Sequence, residues 1–366
     1  MSAACPDLPI VVLPENQRVR ALTRPAAPVE SALAETVEAL LNLRAELLNP
    51  AGARGSLKDA ADAAVKRTDR LAAVARLAPM DTASMVPIVP NHTYFGVRTA
   101  PVDDARLVSE VTTVLARALA DLVEARLDLN DQAAEVLSMV QVLRGLAPAD
   151  APADAPQTTQ EAGAEPPAPS AVGRDELTRW VITHHFYFVL NLAAADAVSR
   201  ATAALKEQDR EAARTALDEA TVYVRGFTAA MMHSGDMSAP AYDAMVRPTM
   251  HPPAVPVALT GRTQPEHKAY RKAMRTLVKV SAESFAELAA ADPELALARD
   301  ALLEADLQDI ERHIAVTAAL VGDDRSLVQG EASESAIAVL RTMRHARAES
   351  YRPLMRFGDP VTLVTA

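Results

Sequence analysis

The sequence predicts an all-α protein built as a helical bundle, and three observations support this. Glycine is scarce, with 12 in 366 residues, aromatic residues make up only 4% of the chain, and β-branched runs are few. Apolar residues recur every three to four positions over long segments, which is the period of an α-helix. These segments are 33–48, 56–77, 103–127, 131–146, 175–207, 209–227, 265–288, 293–321 and 333–351.

Several of these segments begin at a residue that commonly caps a helix. Ser, Thr, Asp and Asn accept hydrogen bonds from the first backbone N–H groups, which have no partner inside the helix. The predicted N-caps are Ser56, Asp103, Asp131 and Asp175.

The chain divides into three parts by composition. Residues 147–173 contain six prolines and almost no large apolar side chain, so they cannot bury enough surface to offset their ordering entropy. We expect a linker or mobile insertion there. Residues 1–146 form an N-terminal helical part that contributes to the bundle, and residues 174–366 form a C-terminal helical part that carries the functional site.

Composition also narrows the functional classes. A net charge of -11 disfavours nucleic acid and anionic membranes as partners, because both require clustered positive charge. We find no run of 18 apolar residues and no basic segment that opens a signal peptide, which predicts a cytoplasmic protein. The single Cys5 excludes an intrachain disulfide and a cysteine-rich metal cluster.

Histidines are the most promising functional residues, because no glycine-rich phosphate loop or nucleophile elbow is present. His313 lies between Ile310 and Thr317 on the apolar face of a helix that is expected to stop at Gly322. It can be a core histidine or, as a neutral imidazole beside an apolar cavity, an axial ligand of haem iron.

His267 follows Pro265, a residue suited to the first turn of a helix. Tyr270, Met274 and Leu277 continue the same apolar stripe, and the helix dipole disfavours imidazolium near the N-terminus. His267 can therefore bind a metal or accept a proton, or it can be a solvated histidine of the first turn.

Three other histidines are weaker candidates for a functional role. The helical period turns His184 inward, with Trp180 and Phe188, and His185 partly outward, as pocket lining or plain core. His92 lies in a loop with two aromatic residues, as part of a pocket wall or as a packed anchor. A diiron site is disfavoured because Glu-x-x-His is absent, although Asp309 and His313 are spaced to share a metal.

The segment 233–255 reads as a stiff, apolar loop that is rich in methionine and proline. It contains the pattern MxHxxDMxxxxYxxxVRPTMxPP, which is followed by LTG, by a histidine that opens a helix, by HxxxT and by GDDxSL. In this order the chain, over roughly 175–358, resembles the histidine-ligated haem-dependent aromatic oxygenases. It is most similar to the bacterial haem-dependent hydroxylases of L-tyrosine and 3-methyl-L-tyrosine.

This resemblance implies a bundle like that of tryptophan dioxygenase and a haem cofactor. It implies that His313 is the proximal iron ligand and that His267 is the distal histidine, which either ligates iron at rest or moves a proton. Thr317 stands where the family has a cysteine that bonds to haem, so non-covalent haem b is expected.

The resemblance also implies roles for the segment 233–255. Arg247 would bind the carboxylate of the substrate, since guanidinium matches carboxylate with two hydrogen bonds. Tyr242 would orient the substrate or Arg247, and Met250 would line the cofactor. The alternative for Arg247 is a salt bridge with Asp236 or Asp243.

The expected activity is hydroxylation of a tyrosine-like substrate, ortho to the phenol OH, in a bacterial natural-product pathway. Hydrogen peroxide or dioxygen would supply the oxygen, and the subunits would form a homo-oligomer. Two alternatives stay open: another oxidation of an aromatic or indole metabolite, and a non-catalytic helical binding protein.

Overall fold

A computed structural model of the chain describes residues 4–5, 7–49, 54–147, 175–259, 261–322 and 335–356. Two compact units emerge, Met1–Val189 and Leu190–Ala366, with the boundary inside one long helix. The predicted linker 147–173 lies outside the described residues except for Ala147. The predicted three-part division stays a prediction.

The first unit begins with strand β1 (Val11–Pro14) and helices α1 (Ala27–Leu47) and α2 (Arg54–Val74). It continues with α3 (Pro90–Tyr94), β2 (Val97–Ala100), α4 (Asp104–Leu122), α5 (Leu129–Leu146) and the first half of α6 (Glu176–Lys206). Helix α1 packs against α2 and α5, and α2 packs against α4. The buried face of α1 has the predicted spacing of three and four residues, in Leu33, Thr36, Leu40, Leu43 and Leu47. Each fully buried leucine contributes about 2 kcal/mol of transfer free energy.

The second unit contains the rest of α6, then α7 (Arg210–Ser234), α8 (Ala239–Ala241), a π-helical turn (Tyr242–Val246) and a 3-10 turn (Arg247–Met250). A 3-10 turn (Gly261–Thr263), α9 (Pro265–Val280), α10 (Phe285–Ala291), α11 (Pro293–Val321), α12 (Ala336–Tyr351) and a last 3-10 turn (Arg352–Leu354) follow. Helices α7, α10 and α12 all pack against α11, which makes α11 the central helix of this unit.

The all-α prediction is confirmed, since the described chain is predominantly helical. The expectation that no sheet forms was wrong in one detail. Strands β1 and β2 pair in parallel, with Val11 opposite Val97 and Pro14 opposite Ala100. Both strands are only four residues long and β1 is buried throughout, so neither shows the alternation that identifies a strand.

Two predicted caps are confirmed. The Asp103 side chain accepts a hydrogen bond from the backbone N–H of Arg106 at 2.7 Å, and Asp175 accepts one from Thr178 at 2.7 Å. Each satisfies a backbone donor of the first helical turn.

Two other predicted caps were wrong. Helix α2 already begins at Arg54, before Ser56. Helix α5 is capped by Asp128, whose carboxylate accepts the N–H of Asn130 at 2.8 Å, so Asp131 lies in its first turn. Two aspartates three residues apart fit the capping pattern equally well, and the pattern alone does not choose between them.

The helix predicted over 265–288 is two helices. Helix α9 ends at Val280, and α10 starts after Ser284, whose side chain and that of Glu287 bond reciprocally to each other's backbone N–H. This capping box favours a new helix start over continuation of the first helix.

The segment 233–255 was predicted as a loop, and this was largely wrong. Helix α7 extends to Ser234, and α8, the π-helical turn and the 3-10 turn occupy most of the following residues up to Met250. Pro240 and Pro248 lie in the first positions of α8 and the 3-10 turn, where proline is tolerated because the N–H it lacks has no helical partner. The Pro252–Pro253 bond is cis.

Helix α6 is long and apolar enough to cross a membrane, judged by length and composition only. The chain was predicted from its sequence to contain no apolar segment of this length. In the structure 72% of the most apolar window of α6 is buried. Burial of this kind is typical of the core helix of a globular protein.

Candidate functional site

His267 lies in the first turn of α9, two residues after Pro265 at the first helical position, as predicted. The face that it shares continues with Tyr270, Met274 and Leu277, and all three are fully buried. The helix therefore fixes His267 at the end of a row of core side chains.

His313 lies eight residues before the end of α11. Ile310 and Thr317, one turn away on either side, are buried, as the apolar pattern predicted. The helix stops at Gly322, which has a φ of 87°, a backbone conformation that favours glycine.

Both imidazoles are held neutral. The pKa of His267 is lowered to about 3, by burial first and then by the charges of Arg271 and Arg347. Burial, followed by Arg347, lowers the pKa of His313 to about 4. His313 is itself among the charges that act on His267, so the structure brings these two histidines within electrostatic reach of each other.

A hydrogen bond favours one tautomer of His267. Its Nδ1 lies 3.4 Å from Oδ1 of Asn191, an oxygen that can only accept. A proton on Nδ1 therefore places the lone pair on Nε2. The ring of His313 makes no hydrogen bond to any residue that the structure describes.

A buried network centred on Asp306, not anticipated from the sequence, lies one to two turns from these histidines. We call Tyr270, Arg271, Asp306, Arg347 and Tyr351 the Asp306 network. Oδ1 of Asp306 accepts from the Tyr270 hydroxyl at 2.8 Å and from Arg271 at 2.6 Å; Oδ2 accepts from Arg271 at 2.7 Å and from Tyr351 at 2.7 Å. Arg347 approaches the same carboxylate at 3.6 Å.

The two arginines decide the charge of Asp306. Burial alone would raise the pKa of this carboxyl, but Arg271 and Arg347 hold it well below the ordinary range. A sequence signal was present, because Asp306 follows Leu302 and Leu303 and precedes Ile310 on the buried side of α11. A charged residue in a buried row requires a partner.

Asp309 has the opposite environment. It is buried and accepts one hydrogen bond, from the Thr228 hydroxyl at 3.1 Å. Burial raises the pKa of its carboxyl to about 6, against the opposing charge of Arg347. Asp309 lies one turn before His313, the spacing that suggested a shared metal, and the described residues contain no group of three or more potential metal ligands.

The segment after α7 is held against the helix that carries His313. A Cβ on Gly235 would lie 2.6 Å from Cγ2 of Val316 and 3.6 Å from Cδ1 of Leu320, so only glycine allows this approach. Helix α8 and the π-helical turn also contact α11. The segment thus lies alongside the last turns of α11, next to Thr317.

Within this segment, Arg247 makes the salt bridge that was the alternative to substrate binding. Its Nη1 lies 3.0 Å from Oδ1 of Asp243. The guanidinium is mostly buried, while the carboxylate is exposed to 39%, so Asp243 can be exchanged for another carboxylate at modest cost. Tyr242 is buried and its pKa is raised by that burial to about 12; Met250 is half-buried.

The histidines of α6 have the reverse orientation to the predicted one. His185 is buried at 1% exposure, and His184 is half-buried. Helix α6 is buried on nearly every side, so its period gives no inward direction. His184 Nδ1 bonds to the carbonyl of Trp180 at 2.6 Å, and His185 Nε2 donates to the carbonyl of Phe95 at 2.5 Å.

His92 lies in the short helix α3, not in a loop, and it is fully buried. The Phe95 ring stacks on His184 with their centroids 4.5 Å apart. His92 and His185 therefore lie in the packed interior of the first unit, and the half-buried His184 packs against Phe95.

The donor set of the second unit suits haem. Both candidate histidines are neutral, the form in which imidazole binds iron. Both residues keep accessible surface, so a ligand can reach the rings. Two histidines without further ligands do not satisfy a protein-only metal site, whereas haem supplies the other four donors.

Comparison with known proteins identifies the group to which this chain is related. The sequence profile described as SfmD 3-methyl-L-tyrosine peroxygenase matches residues 12–298. The chain belongs to this family. The matched range includes Tyr242, Arg247 and His267, and it ends before His313. The resemblance inferred from the sequence is therefore confirmed at the level of the family.

One curated relative is the 3-methyl-L-tyrosine peroxygenase of Streptomyces lavendulae, which is 30% identical over 218 residues. That match covers 57% of this chain and 56% of the relative, so the chain spans little more than half of the relative's length. A solved structure, "Crystal structure of reduced SfmD by soaking with sodium hydrosulfite", aligns with 23% identity and a TM-score of 0.48. It covers 80% of this chain and 95% of its own.

Proposed function

We propose that this protein is a haem-dependent peroxygenase that hydroxylates a tyrosine-like amino acid ortho to the phenol OH. The observation that carries the proposal is the pair His267 and His313, two neutral histidines within electrostatic reach on neighbouring helices of the second unit. Membership of a family described by a 3-methyl-L-tyrosine peroxygenase supports the substrate class and the oxidant.

We assign iron binding to His313 and proton movement to His267. The resemblance in sequence order supports this division, as does the neutral state of both rings. When bound, haem would supply the redox chemistry that protein side chains lack. With its Nδ1 proton directed to Asn191, His267 would accept a proton from hydrogen peroxide at Nε2 and return it to the oxygen that leaves.

The net reaction is balanced without a reductant. An aromatic C–H and hydrogen peroxide give a phenolic C–OH and water, with one peroxide oxygen entering the ring and the other leaving as water. A phenol activates its ortho carbon, which suits a histidine-ligated haem because that ligand pushes less electron density than a thiolate.

We assign the substrate carboxylate to Arg247. Its guanidinium is mostly buried and its present partner is a half-exposed aspartate, so a substrate carboxylate can replace Asp243 and gain two hydrogen bonds. Tyr242 would orient this arginine or the substrate, and Met250 would contribute apolar surface.

We further propose that haem b is held without a covalent bond, through His313 and with Thr317 beside it. The hydroxyl of Thr317 is one helical turn beyond His313 and cannot form a thioether. We also propose a cytoplasmic homo-oligomer. The net charge of -11 supports the proposal that nucleic acid and anionic membranes are not partners.

Absorption spectroscopy with mass spectrometry tests the function directly. Protein purified with haem supplementation should show a Soret band, and with peroxide it should add 16 mass units to L-tyrosine or 3-methyl-L-tyrosine. A gain of 32 units, or reaction only with indole substrates, would indicate another oxidation. A protein that binds no haemin would contradict the proposal and favour the non-catalytic alternative.

A cysteine at position 317 tests the placement of haem. We expect Thr317→Cys to retain haem through denaturing gel electrophoresis after reduction and reconstitution, whereas the wild type releases it. Thr317→Ser is the matched control, because it places oxygen at the same atom. Equal loss of haem from both variants would contradict the placement of Thr317 beside the haem.

The proposed role of Arg247 in substrate binding can be tested by comparing a variant of Arg247 with a variant of its salt-bridge partner, Asp243. Arg247→Gln should raise KM for the amino acid at least about tenfold, as expected for a lost charge-assisted pair, and leave the Soret band in place. Asp243→Asn breaks the same ion pair but keeps the guanidinium, so KM should not rise. If both variants behave alike, Arg247 serves only the salt bridge.

A further inference from the structure

We propose that Asp306 is a positioning residue for the histidine pair: it fixes Arg271 and Arg347, whose charge sets how strongly the proposed haem iron binds anions. This inference rests on the proposed function and deepens it. It concerns residues to which the sequence motifs assign no role.

The first support is the completeness of the Asp306 network. Asp306 is fully buried, and the side chains of Arg271 and Arg347 are exposed to only 15% and 9%. Each carboxylate oxygen accepts two hydrogen bonds of 2.6 to 2.8 Å, from arginine and tyrosine. These bonds hold the guanidinium of Arg271 in place, since removing one partner from a buried network is costly. Arg347 lies 3.6 Å from the same carboxylate and donates to the backbone carbonyl of Asp306 at 3.3 Å.

The second support is the place of the network on its helices. Tyr270 and Arg271 follow His267 by three and four residues on α9, and Asp306 precedes His313 by seven residues on α11. Residues at these spacings share a helix face. Arg347 and Tyr351 join the network from α12. One carboxylate therefore ties together the helix of each histidine and a third helix.

The third support is the charge balance. Two guanidinium groups face one firmly ionised carboxylate, and both guanidiniums act on His267 while Arg347 also acts on His313. Burial of an ion pair does not in itself favour stability over apolar packing. Asp309, whose pKa is about 6, is the other buried carboxyl near Arg347. Below that pH the second arginine leaves a net positive charge beside the histidines, which attracts an anion bound at iron, and above it the ionised Asp309 offsets this charge.

The experiment measures azide affinity of the ferric, haem-loaded protein from the shift of its Soret band. Asp306→Asn adds one positive charge, and we expect azide to bind about six- to sixteenfold more tightly. Arg347→Gln removes one, and we expect binding to weaken by about the same factor. This is the effect of one unit charge over roughly 10 to 15 Å at an effective dielectric constant of about 20.

Two controls separate charge from structure. Tyr351→Phe removes a hydrogen bond from the same carboxylate without changing charge, so azide affinity should stay within about twofold. Asp300→Asn makes the same substitution on the same helix, about 9 Å further from His313 along the axis, so the same Coulomb estimate gives a smaller shift of about three- to fourfold. If Asp306→Asn does not fold, the comparison of azide affinity between Arg347→Gln and Tyr351→Phe still tests the inference.

The outcomes are distinct. Opposite shifts in the two charge variants support the inference. Shifts in the same direction, or a Tyr351→Phe effect as large as theirs, show that the network is only structural and overturn it. A wild type without a Soret band contradicts the proposed function and this inference with it, whereas a normal wild type with unresponsive variants contradicts this inference alone.

Discussion

Each unit contains a pair of buried or half-buried histidines, and the two pairs differ in their hydrogen-bond partners. In the first unit, His184 and His185 hydrogen bond to the backbone carbonyls of Trp180 and Phe95. In the second unit, His267 faces an asparagine side chain and charged groups, and His313 bonds to no described residue. Burial lowers the pKa of His185 to about 4, as it does for His313.

A lowered pKa therefore does not distinguish a ligand from a core residue. A hydrogen bond to a backbone carbonyl does not distinguish them either, since a metal-binding histidine commonly donates its second ring N–H to such a carbonyl; what matters is whether the other ring nitrogen can reach a ligand. A ring directed at side chains or at open surface can exchange its partner for a metal or a substrate.

The largest expected effect separates the two pairs by haem retention. His313→Ala should weaken haem binding by at least about a hundredfold, since even residues that only support a ligand contribute ten- to a hundredfold. His185→Ala should keep the Soret band and lower the midpoint of thermal unfolding instead. Haem titration followed by absorbance measures both, and full haem occupancy in His313→Ala would remove this residue from the site.

The second effect concerns stability against pH. The folded-state pKa of His185 is about 4, below the ordinary histidine value of 6.5, so the unfolded chain takes up the proton first as pH falls. Stability from this group is therefore complete above pH 6.5 and is lost on acidification towards pH 4, by about 3 kcal/mol. His185→Asn should lose correspondingly less free energy of unfolding between pH 7 and pH 4, measured by urea denaturation and circular dichroism.

Asp309 in the second unit provides the opposite sign. Its pKa is raised from 3.8 to about 6, so its contribution is present at low pH and is lost as pH rises through 6. Asp309→Asn should therefore lose more stability than the wild type on acidification. If His185→Asn and Asp309→Asn changed the pH dependence of stability in the same direction, the pKa shift described for one of the two residues would be contradicted.

The third effect tests how closely the segment after α7 is held against α11. Gly235→Ala places a Cβ 2.6 Å from Val316, and we expect a loss of about 2 kcal/mol, typical of overpacking. Val316→Ala removes the clashing methyl group, so the double variant should recover part of the loss. Additive losses in this cycle would show that the two residues are not in contact.

The smallest effect concerns a glycine in the first unit that is required for its backbone. Gly96, next to the Phe95 carbonyl that accepts from His185, has a φ of 63°. Gly96→Ala should cost about 1 kcal/mol for the left-handed conformation, and Gly96→Asn should cost less. Neither should change haem binding, and a lost Soret band would contradict the separation of the two histidine pairs.

Much of the fold was predictable because it depends on local chemistry. The spacing of Leu33, Leu40 and Leu47 predicts α1, Pro265 begins α9, and Gly322 ends α11. The same locality explains the failures. Val11–Pro14 is too short to show a period, and α6 is apolar on every side, so the period placed His184 and His185 on the wrong faces.

Of the candidate site, the sequence predicted His267 and His313 with their helix faces, and the structure brings these two together. It did not predict the Asp306 network, because Arg271, Arg347 and Tyr351 come from helices separated by 35 to 80 residues. The sequence also did not distinguish between the two roles of Arg247. A salt bridge to an aspartate four positions away and a contact with the substrate carboxylate use the same guanidinium atoms.

Trp180, the only tryptophan in the chain, lies against His184 in the first unit, with ring centroids 4.2 Å apart. In haem-free protein, where no haem quenches it by energy transfer, its fluorescence reports on unfolding of the first unit, and circular dichroism reports on the helices of both units. A single preparation thus carries two optical signals for unfolding. Coincident transitions during unfolding would show that both units unfold as one cooperative body, and separate transitions would give the stability of each.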